Sequence, residues 1–291
     1  MLEDFINFYH KDLENLIDTY IDEDIGPGDL TSVFSLYPTS EGTAQLLVRQ
    51  ECTVAGIEMT KLLLSRYDSK LELQTYYKDG DYIEQNKILL EIKGSAQSIL
   101  SIERLLLNCI GRMTGIATAT NDLVNKISAT DCKILDTRKT TPGFRLFEKW
   151  AVLIGGGENH RMGLYDVILL KDNHIDFAGG ISKALKKLSA SLESFPSKKV
   201  VIIEARDLAE VREILKFNIA DRILLDNFPI NLIPKAIDLI NGRVQVEVSG
   251  NINKDNILEY AIPGVKYISV GAITHSVSVI DLSLLKTPLE S

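Results

Sequence analysis

From Lys133 onward, short apolar runs return at a nearly fixed interval, and each closes on or contains a polar or charged residue. The runs are Ile134-Leu135-Asp136, Val167-Ile168-Leu169-Leu170-Lys171, Val200-Val201-Ile202-Ile203-Glu204, Ile223-Leu224-Leu225-Asp226, Val244-Gln245-Val246-Glu247 and Tyr267-Ile268-Ser269-Val270. The last four begin at residues 200, 223, 244 and 267, a spacing that fits a strand, a returning helix and two loops. Helical patterns such as Leu208–Phe217 and Leu232–Ile240 occupy the intervals. Continuous apolar runs suit strands buried on both faces, and βα alternation at this period predicts a parallel sheet or barrel. Six or seven such units make an α/β fold with an incomplete (β/α) barrel, TIM-like but short of eight strands.

The preceding part reads differently. Phe5–Tyr20 has helical spacing in Ile6, Leu13, Leu16 and Ile17. Thr43–Arg49, Thr53–Ile57, Leu71–Tyr77 and Ile88–Lys93 alternate as half-exposed antiparallel strands do, with a short helix over Lys61–Tyr67. Asp79–Gly94 has the outline of a biotinyl or lipoyl hairpin, but its tip Glu84-Gln85-Asn86-Lys87 lacks the usual flanking pair, so a plain sheet hairpin is expected. A long helix over Ala96–Ile127 is predicted to lead into the second domain, with Gly111 and Gly115 four apart to allow close helix packing.

Composition removes several function classes. The net charge of −8 argues against a general nucleic-acid binder. No stretch approaches the roughly 18 apolar residues of a membrane helix. The start, Met1-Leu2-Glu3-Asp4-Phe5, lacks the order of a signal peptide. Cys52, Cys109 and Cys132 form no CxxC pair, so a cytoplasmic protein without a disulfide scaffold is expected.

Barrel enzymes assemble their sites at the C-terminal ends of the strands. Here those ends carry Asp136, Arg138, Lys139, Lys171, Glu204, Asp226, Glu247 and Ser249. Lys133–His174 holds seven Lys or Arg and five Asp or Glu, so its charge is 7 − 5 = +2 inside an acidic protein, which points to an anionic ligand. Arg138 can fork onto a carboxylate or phosphate, with Lys139 as a point charge beside it. Gly155-Gly156-Gly157 reads as a loop that presents His160 and Arg161, while His174 is expected to orient a loop and His10 to be structural. Ser249-Gly250-Asn251 and Gly271-Ala272 follow the last strands, where backbone N–H groups can approach a phosphate. Glu204 and Asp226 end neighbouring strands and suit either Mg²⁺ or a developing positive charge.

Several segments together resemble the quinolinate phosphoribosyltransferase family. They are Thr137-Arg138-Lys139-Thr140-Thr141-Pro142-Gly143, the run from Gly155 through His160-Arg161-Met162-Gly163 to Asp166, Lys171-Asp172-Asn173-His174 and Leu225-Asp226-Asn227, with Asp24–Ser32 and Glu103-Arg104 earlier. The resemblance implies an α/β sandwich-like domain over 1–115 and a barrel over 116–274, with the tail 275–291 packing back on the first. It also implies a homodimer in which Arg104 reaches the partner's site. Its reaction joins quinolinate to phosphoribosyl pyrophosphate, with decarboxylation, in NAD biosynthesis. Arg138, His160, Arg161, Lys171 and Arg104 are implied as quinolinate binders. Lys139, Glu204 and Asp226 are implied at the reacting centre, the two acids also holding Mg²⁺. Ser249, Gly250, Asn251 and Gly271 are implied around the 5′-phosphate. Arg206 stands where many relatives carry an acid. The alternatives are a same-fold paralogue associated with molybdenum transport, an inactive binding homologue, and a phosphate-sugar barrel acting on another substrate.

Overall fold

Alternation decides how the apolar runs after Lys133 are used. A computed structural model describes residues 2–194, 197 and 199–287. Its strands are β1 (Glu41–Val48), β2 (Cys52–Thr53), β3 (Glu72–Thr75), β4 (Tyr82–Ile83), β5 (Ile88–Ser95), β6 (Lys133–Leu135), β7 (Ile168–Leu170), β8 (Val201–Ala205), β9 (Arg222–Asp226), β10 (Gln245–Ser249), β11 (Tyr267–Ser269) and β12 (Leu282–Lys286). The described residues fall into two compact units. One gathers those of Met1–Asn121, Thr140–Gly156 and Ser276–Ser291, the other Asp122–Lys139 and Gly157–His275. Thr140–Gly156, within the later part of the chain, groups with the first unit.

In the second unit all six strands pair in parallel, in the order β6-β11-β10-β9-β8-β7. The first strand thus lies beside the last, as in a barrel, while β6 and β7 do not pair with each other. Beside β6, Glu158 forms a parallel bridge to Leu135. This is the incomplete barrel, with six strands. The pairing register puts Val201, Ile203, Ile223, Leu225, Val246, Val248 and Ile268 on one face, all buried. Such an unbroken apolar face is what a covering layer of helices needs. The opposite face carries a small apolar cluster, Leu169, Ile202 and Leu224. The same face then turns polar at Lys171, Glu204, Asp226, Glu247 and Ser249.

In the first unit an antiparallel sheet runs β12-β1-β5-β3. Its edge strand β12 pairs with β1 from Ala44↔Lys286 to Val48↔Leu282. The first helix, Leu2–Asp24, is longer than its apolar spacing predicted and buries Phe5, Leu13 and Ile17. Each such apolar burial contributes about 1.5–3 kcal/mol. The predicted strand Thr53–Ile57 stops at Thr53, and a helix starts at Ile57. The cause is Asp79, whose carboxylate accepts the N–H groups of Gly56 (2.7 Å) and Ile57 (2.9 Å) and so caps that helix from a distant turn.

The two helical glycines serve a different neighbour from the one expected. On the helix Ala96–Lys126, a Cβ at Gly115 would strike the Ser278 carbonyl oxygen, and one at Gly111 would lie 2.9 Å from Val279 Cγ1. They admit the extended segment before β12, not a second helix. Gly155 is likewise a packing residue, since a Cβ there would lie 2.5 Å from the Ala117 carbonyl. Replacing Gly115 by Ala should destabilise the protein by about 1–3 kcal/mol, the usual cost of overpacking. Urea unfolding of the variant measures it, and unchanged stability would mean that the segment at Ser278 yields freely.

Candidate active site

The polar face of the parallel sheet positions the site. Glu204 lies on β8, opposite Leu224 of β9, and Asp226 is two residues further along β9 on the same face. Glu204 is 4% exposed. Burial raises its pKa above the ordinary glutamate value, the neighbouring Asp226 charge adds to this, and Lys171 opposes it. Lys171 follows β7 directly, so a cation faces this carboxylate pair. The backbone N–H of Asp172 also donates to Glu204 Oε1 (3.4 Å). His174 orients this turn, as expected: its Nδ1 accepts the Lys171 N–H at 3.0 Å.

The basic cluster forms beyond β6. Asp136 is fully buried and accepts the His160 N–H at 2.9 Å, so it holds the loop rather than facing a ligand. His160 Nδ1 accepts the Arg161 N–H at 2.7 Å. Asp166 then accepts from Met162 (2.6 Å) and Gly163 (3.2 Å) and closes the turn behind Arg161. Burial works against the Asp166 charge, but these backbone donors outweigh it and hold its pKa low. Arg161 is pushed below its ordinary value, first by burial and then by the charge of Arg138, with Asp166 acting the other way. Two guanidinium groups are therefore close enough to repel. Lys139 is exposed after β6. Its carbonyl accepts from Thr274 Oγ1 (2.8 Å), and its Cδ would lie 3.1 Å from a Cβ at Gly271. A side chain at Gly271 would crowd it.

The loops after β9 and β10 are knitted together. Asn227 donates its backbone N–H to the Ser249 carbonyl (2.9 Å) and its amide to Asp226 Oδ2 (2.8 Å). Asn251 donates to Asn227 Oδ1 (3.2 Å). Gly250 has φ +106°, and a Cβ there would fall within 2.7 Å of the Asn227 backbone nitrogen, so only glycine fits.

Not every strand-end residue belongs to the mouth. Glu247 lies within β10, fully buried. Arg206 pairs with Glu210 (2.6 Å) and Asp176 (2.9 Å), which hold its charged form. Arg104 sits exposed on the helix Ala96–Lys126 of the first unit. Sequence reasoning gave no role to Asp166, Asn227 or Arg222. Their signal was only position, a polar residue one to five places from a named one. Among the described residues, no group of three or more His, Cys, Asp or Glu gathers to hold a metal. A pair of carboxylates fits Mg²⁺ that takes its remaining ligands from water and phosphate.

Fold and site together define an α/β-barrel protein suited to anions: a carboxylate pair on one face of a parallel sheet, with Lys171 after β7 and basic residues in the loops beyond β6. Comparison with known proteins narrows this. Residues 29–114 and 116–285 match the quinolinate phosphoribosyl transferase N-terminal and C-terminal domains, respectively. A curated relative from Nicotiana tabacum, quinolinate phosphoribosyltransferase [decarboxylating] 1b, is 40% identical over 94% of this chain and 82% of its own. The probable nicotinate-nucleotide pyrophosphorylase [carboxylating] of Bacillus subtilis is 38% identical over 94% of this chain and 93% of its own. The structure of the nicotinate-nucleotide pyrophosphorylase from Francisella tularensis superposes with a TM-score of 0.86 at 40% identity, covering 94% and 96%. The chain belongs to the quinolinate phosphoribosyltransferase family.

The raised Glu204 pKa has a thermodynamic sign. A carboxyl whose folded pKa exceeds its unfolded value binds its proton more tightly when folded, so stability falls as pH rises from the ordinary glutamate value through the raised one. Above that window the burial penalty is complete. Glu204→Gln should therefore be more stable than the parent at neutral pH, and the gap should close on acidification. Denaturant unfolding of both proteins across that range tests this; a pH-independent gap would contradict it.

Proposed function

We propose that this protein transfers the phosphoribosyl group of phosphoribosyl pyrophosphate to quinolinate, with decarboxylation, giving nicotinate mononucleotide, pyrophosphate and CO₂ for NAD biosynthesis. The observation that carries the reading is geometric: Lys171, Glu204 and Asp226 stand at one end of neighbouring parallel strands, and the loop that bears His160 and Arg161 is pinned beside β6 by Asp136 and Asp166. Cations in that position suit a dianion, and quinolinate has two carboxylates. Membership of the family and the names of its relatives support the same reaction.

Both substrates are anions, and in a site of low dielectric they repel unless fixed cations neutralise them. Arg138, Arg161 and Lys171 serve quinolinate, with His160 and, from a partner subunit, Arg104. As the C1–pyrophosphate bond breaks, positive charge develops on the ribose; Glu204 and Asp226 favour it. Lys139 stabilises the reacting anions. The ring nitrogen takes the C1 bond and becomes cationic. The adjacent carboxylate leaves as CO₂, its electron pair stays on the ring carbon beside that nitrogen, and a proton replaces it. Ser249, Gly250, Asn251 and Gly271 accommodate the 5′-phosphate. Mg²⁺ bound at Glu204 and Asp226 would supply charge neutralisation for the departing pyrophosphate.

A shared homodimer site is supported by an exposed apolar stripe on the first unit. Leu30, Val33 and Phe34 on the helix Leu30–Ser35, with Tyr37 just beyond it, are each more than half exposed. A cytoplasmic setting is supported by three buried free cysteines, and no described helix is long and apolar enough to cross a membrane.

Release of CO₂ from carboxyl-labelled quinolinate, dependent on phosphoribosyl pyrophosphate and Mg²⁺, tests the reaction; no release sinks it. Lys139→Ala or Glu204→Ala should lower kcat by ~10²–10³. Arg138→Ala should raise KM for quinolinate more than KM for phosphoribosyl pyrophosphate, and the reverse pattern would reassign it. Inactive Arg104→Ala and Lys139→Ala dimers should regain activity on subunit exchange if the site is shared.

A further inference from the structure

Behind the basic cluster lies a buried chain of charges that no substrate needs to touch. Glu247 is fully buried on β10. Its Oε2 accepts from Arg222 Nη1 at 2.8 Å, and its Oε1 accepts from Ser269 Oγ. Arg222 in turn stacks on the Tyr267 ring, with Cζ 3.7 Å from the centroid. Such a pair is costly to desolvate and is a weak reason for stability, so its presence in the sheet calls for another role. The same Oε1 lies 3.4 Å from His160 Nε2, on a ring whose side chain is 8% exposed.

The direction of the hydrogen bonds gives that role. Arg161 donates its backbone N–H to His160 Nδ1. An Nδ1 that accepts leaves the ring hydrogen on Nε2, the nitrogen that faces Glu247. Asp136 fixes the other side of the same residue through the His160 N–H. The imidazole is thus a strut between the interior carboxylate and the backbone from which the Arg161 guanidinium springs.

We propose that Glu247, backed by Arg222, is a positioning residue: it locks the His160 ring so that Nδ1 holds the Arg161 backbone and aims Arg161 at the quinolinate carboxylates. The inference rests on the reading of the site as a quinolinate site. His160 then acts through Arg161, and its effect on quinolinate binding is indirect.

The test is steady-state kinetics of the full-length protein with each substrate varied, alongside ¹⁵N NMR of the histidine side chains, His160 being identified by its loss in His160→Gln. Glu247→Gln should raise KM for quinolinate about tenfold, the order lost when the partner orienting a binding group is removed. The kcat and the KM for phosphoribosyl pyrophosphate should move by less than about threefold. His160 in the parent should carry its hydrogen on Nε2, and in Glu247→Gln should lose that fixed tautomer. Glu247→Gln/His160→Gln should be no worse than His160→Gln alone, since both act along one path. Because Glu247→Gln strands the Arg222 charge and can fail to fold, Glu247→Gln/Arg222→Gln, which removes the pair, is measured beside it and should show the same quinolinate KM. A normal quinolinate KM in a folded Glu247 variant, equal losses for both substrates, or additive losses with His160→Gln would overturn the proposal. A parent protein inert toward quinolinate and phosphoribosyl pyrophosphate would instead overturn the reaction, and the tautomer spectra would still decide whether Glu247 holds His160.

Discussion

Parallel pairing of six short strands is the constraint from which the rest follows. It commits one face of strands β8 to β11 to apolar contact: Val201, Ile203, Ile223, Leu225, Val246, Val248 and Ile268 are all buried. Chemistry is left to the other face, beyond the plug of Leu169, Ile202 and Leu224. Because every strand points the same way, Lys171, Glu204, Asp226 and Ser249 reach one end of the sheet together. A mixed or antiparallel sheet of the same residues would scatter them to both ends.

Concentrating charge in this way has electrostatic costs, and the molecule meets them differently at different strands. Glu247 is given Arg222, Ser269 and His160, which together outweigh its burial and hold its carboxyl below the usual range. Glu204, level with it across β9, is left under-compensated, with its pKa raised by burial and by Asp226. Arg161 is disfavoured in the opposite sign, first by burial and then by the charge of Arg138, with Asp166 opposing. Glu247 is thus satisfied from within the protein, while Glu204 and Arg161 keep pKa values displaced against their charged forms, as groups poised to meet a ligand do.

Much of this was legible in the sequence because it depends on local periodicity. Each apolar run after Lys133 became a parallel strand, since a continuous run has few alternatives in a soluble fold. The residues at the strand ends were legible for the same reason. What escaped depends on contacts distant in the chain. Asp79 caps a helix more than twenty residues before it, so the strand expected at Thr53–Ile57 ended early. Gly111, Gly115 and Gly155 looked like helix-packing or loop glycines, yet each marks a close approach by another stretch of backbone. Glu247 looked like another mouth residue, because one-dimensional spacing does not reveal that Arg222 waits one strand over.

The antiparallel sheet of the first unit has an interior strand, β1, whose outer neighbour β12 follows the entire parallel sheet in sequence. During synthesis β1 must wait, with one row of backbone donors and acceptors open, until the six strands of the other unit have been made. The nascent protein carries a sticky border over that interval. Closure of one unit is tied to synthesis of the other.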